Sequence, residues 1–340
     1  MTRPSFDDAR LEAPEVQDSP ALRWLAETGA RIRRATMSEP LGDIDGADRP
    51  RGVLVIGQEA RLVRAVLEPV CPVPFMAWPG PSLPAWVGPL DLVIILGNHD
   101  ASPWEVDCAG EAARRGATII VAAPADSTLG AAASSSATTV VPATDADPMA
   151  AAVAVLGLLG QRELGPAFEP EQVADAADLV AGLCSPFHEI GSNPAKDCAI
   201  GLAEGLPLVW GGTVLAARAS RRIAEAMRRA SGRPALAADA DELETILRAV
   251  TPRDPFEDPY LSDVEAPPVL MLLDEDKVPD RLNGVARRLS NIAESVGVRV
   301  CSISSGEPGL ESSDVERYVT LLQHGRYAAA YLGIGLNSSS

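Results

Sequence analysis

The strongest constraint on this chain is a recurring alternation: short runs of β-branched and aliphatic residues, four to six long, each followed by a stretch with helical spacing. Val53–Ile56, Val73–Met76, Leu92–Leu96, Ala117–Ala122 and Thr138–Val141 read as strands, separated or closed by helical segments over about 61–67, 104–115 and 149–159. A second series reads Leu206–Trp210, Pro234–Ala237, Val269–Leu273 and Val298–Ile303, with helices near 171–183, 194–203, 214–229, 241–250 and 313–332. Strands alternating with helices predict parallel, doubly wound sheets covered on both faces. Aromatic residues make up only 4% of a chain that is 46% hydrophobic, so Ala, Val, Leu and Ile must build the core. The expected fold class is α/β, with two tandem subdomains.

The boundaries expected from composition are 1–50 for an acidic tail, an N-terminal helix from Ala21 to Arg34 and a Gly/Asp/Pro linker; 51–166 for the first subdomain; and 167–340 for the second. Residues 1–19 read as a loose tail, and 125–136 as an exposed loop or ragged helix.

Net charge and thiol content narrow the function classes. A formal charge of −18 opposes a polyanionic partner, so neither nucleic acid nor an anionic membrane surface is expected. Cys71, Cys108, Cys184, Cys198 and Cys301 show no C-x-x-C spacing and only three histidines accompany them, so no metal site, disulfide framework or cofactor is expected. The N-terminal stretch lacks the basic end and apolar run of a signal peptide and no segment is apolar enough to span a bilayer, which leads to a cytoplasmic expectation.

Several segments carry a family resemblance: Pro84–Gly88 leading into Leu92-Val93-Ile94, the run Asn193-Pro194-Ala195-Lys196-Asp197, the strand and turn Leu206–Gly212, and the ending His324–Leu332. In order and spacing they resemble the bacterial and archaeal bifunctional phosphoglucose/phosphomannose isomerases of the sugar isomerase (SIS) superfamily, in a divergent, actinobacterial-type form. The resemblance implies two SIS subdomains, a homodimer, and a sugar phosphate held at the carboxyl ends of the strands, where ligands of open parallel sheets sit.

The resemblance also shows what is missing. The family's hydroxyl-rich phosphate loop, roughly Ser-x-Ser-Gly-x-Thr-x-Glu, corresponds here to Gly97-Asn98-His99-Asp100-Ala101-Ser102. Asp100 would repel a phosphate by ~4 kcal/mol at 4 Å and an effective dielectric of 20. Ser102, with Pro103 next and Glu105 three on, suits a capping box as well as a phosphate contact. The family's glycine-rich first turn is Gly57-Gln58-Glu59, whereas Gly211-Gly212-Thr213 keeps a permissive turn that serves either tight backbone geometry or anion contact.

Aldose–ketose isomerisation needs a base, a ring-opening acid/base and a cation. The family's glutamate, histidine and arginine correspond here to Arg229, Thr245 and Met149. A guanidinium stays protonated and is no base. Glu242 and Glu244, with Glu225, are the carboxylates near enough in sequence to replace the lost base. The expected substrate-binding set is Gly57, Gly97, Asn98, Ser102, Gly211, Gly212 and Thr213, with no catalytic residue at the family positions. Lys196 is expected in a helix bridging the two subdomains. The implied function is sugar-phosphate binding in a sensing or regulatory role, with an active isomerase using relocated groups and a ligand-free structural dimer as the alternatives.

Overall fold

The computed structural model describes residues 5–42, 49–97, 101–124, 126–143, 147–203, 205–250, 266–275, 280–305 and 311–337. Two compact units divide the chain: Thr28–Asp175, and Met1–Glu27 together with Ala176–Ser340.

Two 3-10 turns, Asp8–Leu11 and Pro14–Asp18, open the described chain, followed by α1 (Pro20–Ala26) and α2 (Thr28–Met37). The expected single helix is therefore two, separated at Glu27. The described part of the expected loose tail is docked instead. Leu11 and Val16 are buried, and the Asp7 amide donates to the Gly335 carbonyl at 3.0 Å.

In the unit from Thr28, five parallel strands form one sheet: β1 (Gly52–Gly57), β2 (Phe75–Ala77), β3 (Asp91–Leu96), β4 (Thr118–Ala123) and β5 (Thr138–Pro142), in the order β2-β1-β3-β4-β5. The three central strands are apolar on both faces because helices cover both. Leu54, Ile56, Val93, Ile95, Ile119 and Val121 form a core with Cys108, Ala109 and Ala112 of α4 (Pro103–Arg114) and Leu129 of α5 (Thr128–Ala132). Each such Val, Leu or Ile side chain contributes roughly 1.5–3 kcal/mol when fully buried. α3 (Ala60–Leu67) and the almost wholly buried α6 (Pro148–Gln161) also pack on this sheet. The stretch 125–136, expected as loop or ragged helix, contains α5, capped by the Ser127 hydroxyl accepting from the Gly130 amide at 3.1 Å.

After α7 (Pro170–Leu183) and α8 (Pro194–Leu202), the second sheet consists of β6 (Leu206–Gly211), β7 (Leu236–Ala237), β8 (Pro268–Asp274) and β9 (Val300–Ser304). Its order, β7-β6-β8-β9, is again fully parallel and reproduces the first four strands of the other sheet. α9 (Val214–Ser231), α10 (Ala240–Arg248), α11 (Asp280–Ser295) and α12 (Asp314–Gly335) complete the unit. α11 is absent from the sequence expectation, although Val285, Leu289 and Ile292 recur at helical spacing; Gly284 and Asn283 dilute that pattern. Among the described residues no helix is long and apolar enough to cross a membrane.

Candidate functional site

The connections of the second sheet locate its crevice. From β6 the chain crosses to β7 on one side, and from β8 to β9 on the other, so the switch point lies between the carboxyl ends of β6 and β8. Ligand sites of open parallel sheets favour that place. Here β6 delivers Gly211-Gly212-Thr213, and β8 delivers Asp274-Glu275.

Thr213 is the N-cap of α9: its hydroxyl oxygen accepts from the Ala216 amide at 3.0 Å and its hydroxyl donates to Glu275 Oε2. Glu275 is 5% exposed. Burial holds its carboxyl above the usual carboxylate range, against the opposing pull of the Thr213 hydroxyl and Arg317. Arg317 Nε lies 3.5 Å from Glu275 Oε1, and the same guanidinium pairs with Asp314 and donates to the Ser312 carbonyl at 3.2 Å. Arg317 reaches inward from the first turn of α12, whose start is fixed by a capping box between Ser313 and Glu316.

The end of β9 adds hydroxyls. The Ser305 amide donates to the Asp274 carbonyl at 3.0 Å, while its side-chain oxygen is buried without a hydrogen-bond partner among the described residues. His324, further along α12, looks onto the Ser304 and Thr320 carbonyls; burial pushes its imidazole down to about 4, so the ring is neutral at pH 7. A helix N-terminus with its hydroxyl cap, a buried carboxyl, a guanidinium and serine hydroxyls thus share one strand edge. Such a donor set suits an anion, and in this structure the anion it holds is the chain's own Glu275.

The residues singled out in the sequence fall as follows. A Cβ at Gly211 would overlap the Ala216 backbone, and one at Gly212 would lie 2.8 Å from the Trp210 ring, so both glycines serve close packing at the turn. In the first sheet Gly57 has φ of 119°, and a Cβ there would overlap the Leu96 carbonyl. Gly97 lies directly under the Leu129 side chain. Ser102 is the N-cap of α4, with its amide donating to Glu105 at 2.8 Å. Asn98, His99 and Asp100 lie outside the described residues.

Of the three residues expected from the resemblance to stand at catalytic positions, Met149 is a 1% exposed core residue of α6. The Arg229 guanidinium is exposed and bonded to Glu225 at 2.7 Å. The Thr245 hydroxyl donates to the Asp241 carbonyl at 2.9 Å. Glu242 is exposed, and Glu244 pairs with Arg248 and with Arg288 of α11.

Asn193 and Lys196 form a structural clamp. Asn193 caps α8, accepting from the Ala195 and Lys196 amides at 3.0 and 3.1 Å, and donates to the Ser185 carbonyl at 2.9 Å. Lys196 Nζ donates to the carbonyls of Pro186 and His188 and sits 5.6 Å from the centre of the Tyr331 ring, whose hydroxyl donates to the Cys184 carbonyl. Burial lowers the Lys196 pKa. The expected bridging role is corrected: α8 packs on α12 and β9, inside the second unit.

Sequence reasoning missed Glu275, Ser305, Arg317 and His324. The available signal was topological, since pairing β6 with β8 sets the residues after Leu273 beside Gly211–Thr213.

No protein-family model matches the sequence, and no curated protein matches it. The fold does have solved counterparts. The C-terminal domain of glucosamine-fructose-6-phosphate aminotransferase from Francisella tularensis aligns with a TM-score of 0.66 at 9% identity, over 94% of this chain and 98% of that one. Tagatose-6-phosphate ketose/aldose isomerase from Escherichia coli aligns at 0.60 and 13% identity, over 98% and 92%. A glucose-6-phosphate isomerase like protein from Thermus thermophilus aligns at 0.52 and 16% identity, over 94% and 92%. The chain therefore has the α/β fold of two tandem SIS-type domains, each with a parallel sheet flanked by helices.

Proposed function

We propose that this protein binds a phosphorylated sugar at the carboxyl edge of its second sheet and acts as a sensor or regulator without isomerase chemistry. The observation that carries the proposal is the Thr213–Glu275–Arg317 cluster: a helix N-terminus and a guanidinium built around an anion, with a tethered carboxylate in the anion's place. A ligand phosphate would displace Glu275 and take the Thr213 hydroxyl and Arg317. The fold neighbours named for sugar phosphates support that ligand class. Met149, Arg229 and Thr245 supply neither base, acid nor poised cation, which supports loss of turnover. The same reading sets the protein in the phosphoglucose/phosphomannose isomerase branch of the fold, as a cytoplasmic homodimer.

Calorimetric titration with glucose, mannose and fructose 6-phosphates tests it. Binding by the wild type that is lost in Arg317→Met supports the proposal; no binding of any of the three sinks it. A ligand present at 100 times its dissociation constant also stabilises the fold by roughly 2.7 kcal/mol, a readable thermal shift.

One observation favours a second reading. Glu275 is a buried carboxyl of raised pKa beside a cation, the combination a proton-transferring base needs. In that case the protein isomerises fructose 6-phosphate and Glu275→Gln abolishes turnover, whereas a sensor shows none with either side chain.

A further inference from the structure

Away from that edge, two cysteines meet where α8 lies on the start of β9. Cys198 is buried in α8 and Cys301, second residue of β9, is partly exposed; both are free thiols. The two thiols interact, each shifting the other's titration. Gly201, one turn after Cys198, makes the approach possible, because a Cβ there would stand 2.6 Å from Cys301 Sγ. The Arg299 guanidinium crowds the same spot, its Nε 3.1 Å from that Cβ position. Gly201 and Arg299, which adjoin Cys301, also line a cavity of about 1170 Å³ with Ile200, Arg233 and Val269.

We propose that Cys198 and Cys301 are a redox-active dithiol that closes to an intrachain disulfide when a hydroperoxide reaches Cys301. The Cys301 thiolate attacks the peroxide, the O–O bond breaks, and the departing oxygen takes up a proton to leave as water or an alcohol. Cys301 is then a sulfenic acid. The Cys198 sulfur attacks it, the S–O bond breaks, and the oxygen leaves as water with the Cys198 proton. Two thiols lose two electrons, and one peroxide is reduced by two.

The division of roles follows the surroundings. The interaction with Cys198, with Arg299 alongside, holds the Cys301 thiol below its ordinary range. That interaction and burial hold Cys198 above it. Cys301, the more exposed of the two and the one beside the Arg299 guanidinium, is therefore the attacking thiolate, and the buried Cys198 the resolving thiol. Burial raises the thiols of Cys108 and Cys184, the latter to about 12, which makes them poor competitors.

The test treats the reduced full chain with stoichiometric hydrogen peroxide. The expected product is a monomer lighter by about 2 Da, the two thiol hydrogens, whose unreduced peptide map joins Cys198 to Cys301. Cys198→Ser should instead accumulate a dimedone-reactive sulfenic acid at Cys301. A map with Cys71, Cys108 or Cys184 in the cross-link, or with Cys198 and Cys301 left as thiols, overturns the proposal. If the serine variant fails to fold, alkylation of the wild type decides: Cys301 must react with iodoacetamide faster than Cys71, and an equal or slower rate overturns its assignment as the attacking thiolate.

Discussion

Each sheet carries a buried carboxylate and an arginine at its carboxyl edge, yet the two pairs are built differently. In the first unit Asp147, which caps α6 by accepting from the Met149 amide at 3.0 Å, meets Arg31 Nε at 2.7 Å, with side chains only 4% and 2% exposed. In the second, Glu275 meets Arg317 Nε at 3.5 Å, and that guanidinium is shared with Asp314. The first pair is a closed structural joint. The second holds a carboxyl of raised pKa by the Thr213 hydroxyl and a long contact to Arg317, beside a buried Ser305 hydroxyl that has no partner among the described residues, and is the one proposed above to open to a ligand. Two edges of one topology have separated into a fastening and a candidate receptor.

The largest expected effect tests that separation directly. Arg31→Met leaves Asp147 buried and uncompensated and should cost about 3–5 kcal/mol in urea denaturation. Arg317→Met should cost roughly 1 kcal/mol, because Glu275 can neutralise itself by taking a proton. Equal losses would break the comparison.

Next in size is a pH effect at the second edge. His324 stays neutral in the fold down to about 4, whereas the unfolded chain binds its proton near the ordinary 6.5. Between those values the unfolded state carries more protons, so stability is fully present above 6.5 and falls as the pH drops toward 4, by about 3 kcal/mol in all. Urea midpoints at pH 7.5 and 4.5 measure it, and His324→Leu should remove that share of the loss.

Glu275→Gln sharpens the receptor side. Without the competing carboxylate, hexose phosphate should bind about tenfold tighter, or ~1.4 kcal/mol. Wild-type affinity should rise relative to the variant as the pH falls through the raised Glu275 pKa, since protonation removes the same repulsion. Calorimetry at two pH values reads both; an unchanged or weaker affinity in the variant would show that Glu275 does not occupy the ligand's place. The smallest effect is Ser305→Ala, expected to alter stability by no more than about 0.5 kcal/mol, because its hydroxyl makes no bond among the described residues, while weakening ligand binding.

The architecture was legible because strand formation here is local. Val53–Ile56, Leu92–Leu96 and Leu206–Trp210 are apolar on both faces of the pleat, and that composition announces a strand buried between helices. α11 escaped because Gly284 and Asn283 interrupt its apolar stripe, which only packing with Leu243 and Leu247 of α10 makes worthwhile. The N-terminal segment reads as a polar tail in isolation, and its two anchors, Leu11 and Val16, mean nothing until α12 offers a surface. At the site, Gly211–Thr213 was visible as a turn. Glu275 and Arg317 stand 62 and 104 residues beyond Thr213, and no local spacing links them.

The amino-acid sequence by itself determined the α/β class and the tandem parallel sheets, because each depends on local periodicity. Only the tertiary structure decided that Asn193 and Lys196 clamp a loop, that Asp147 is locked to Arg31, and that Glu275 accepts from the Thr213 hydroxyl at the head of α9. Those outcomes rest on desolvation and on hydrogen bonds between residues far apart in the chain, which take their value only once the sheet has brought them together.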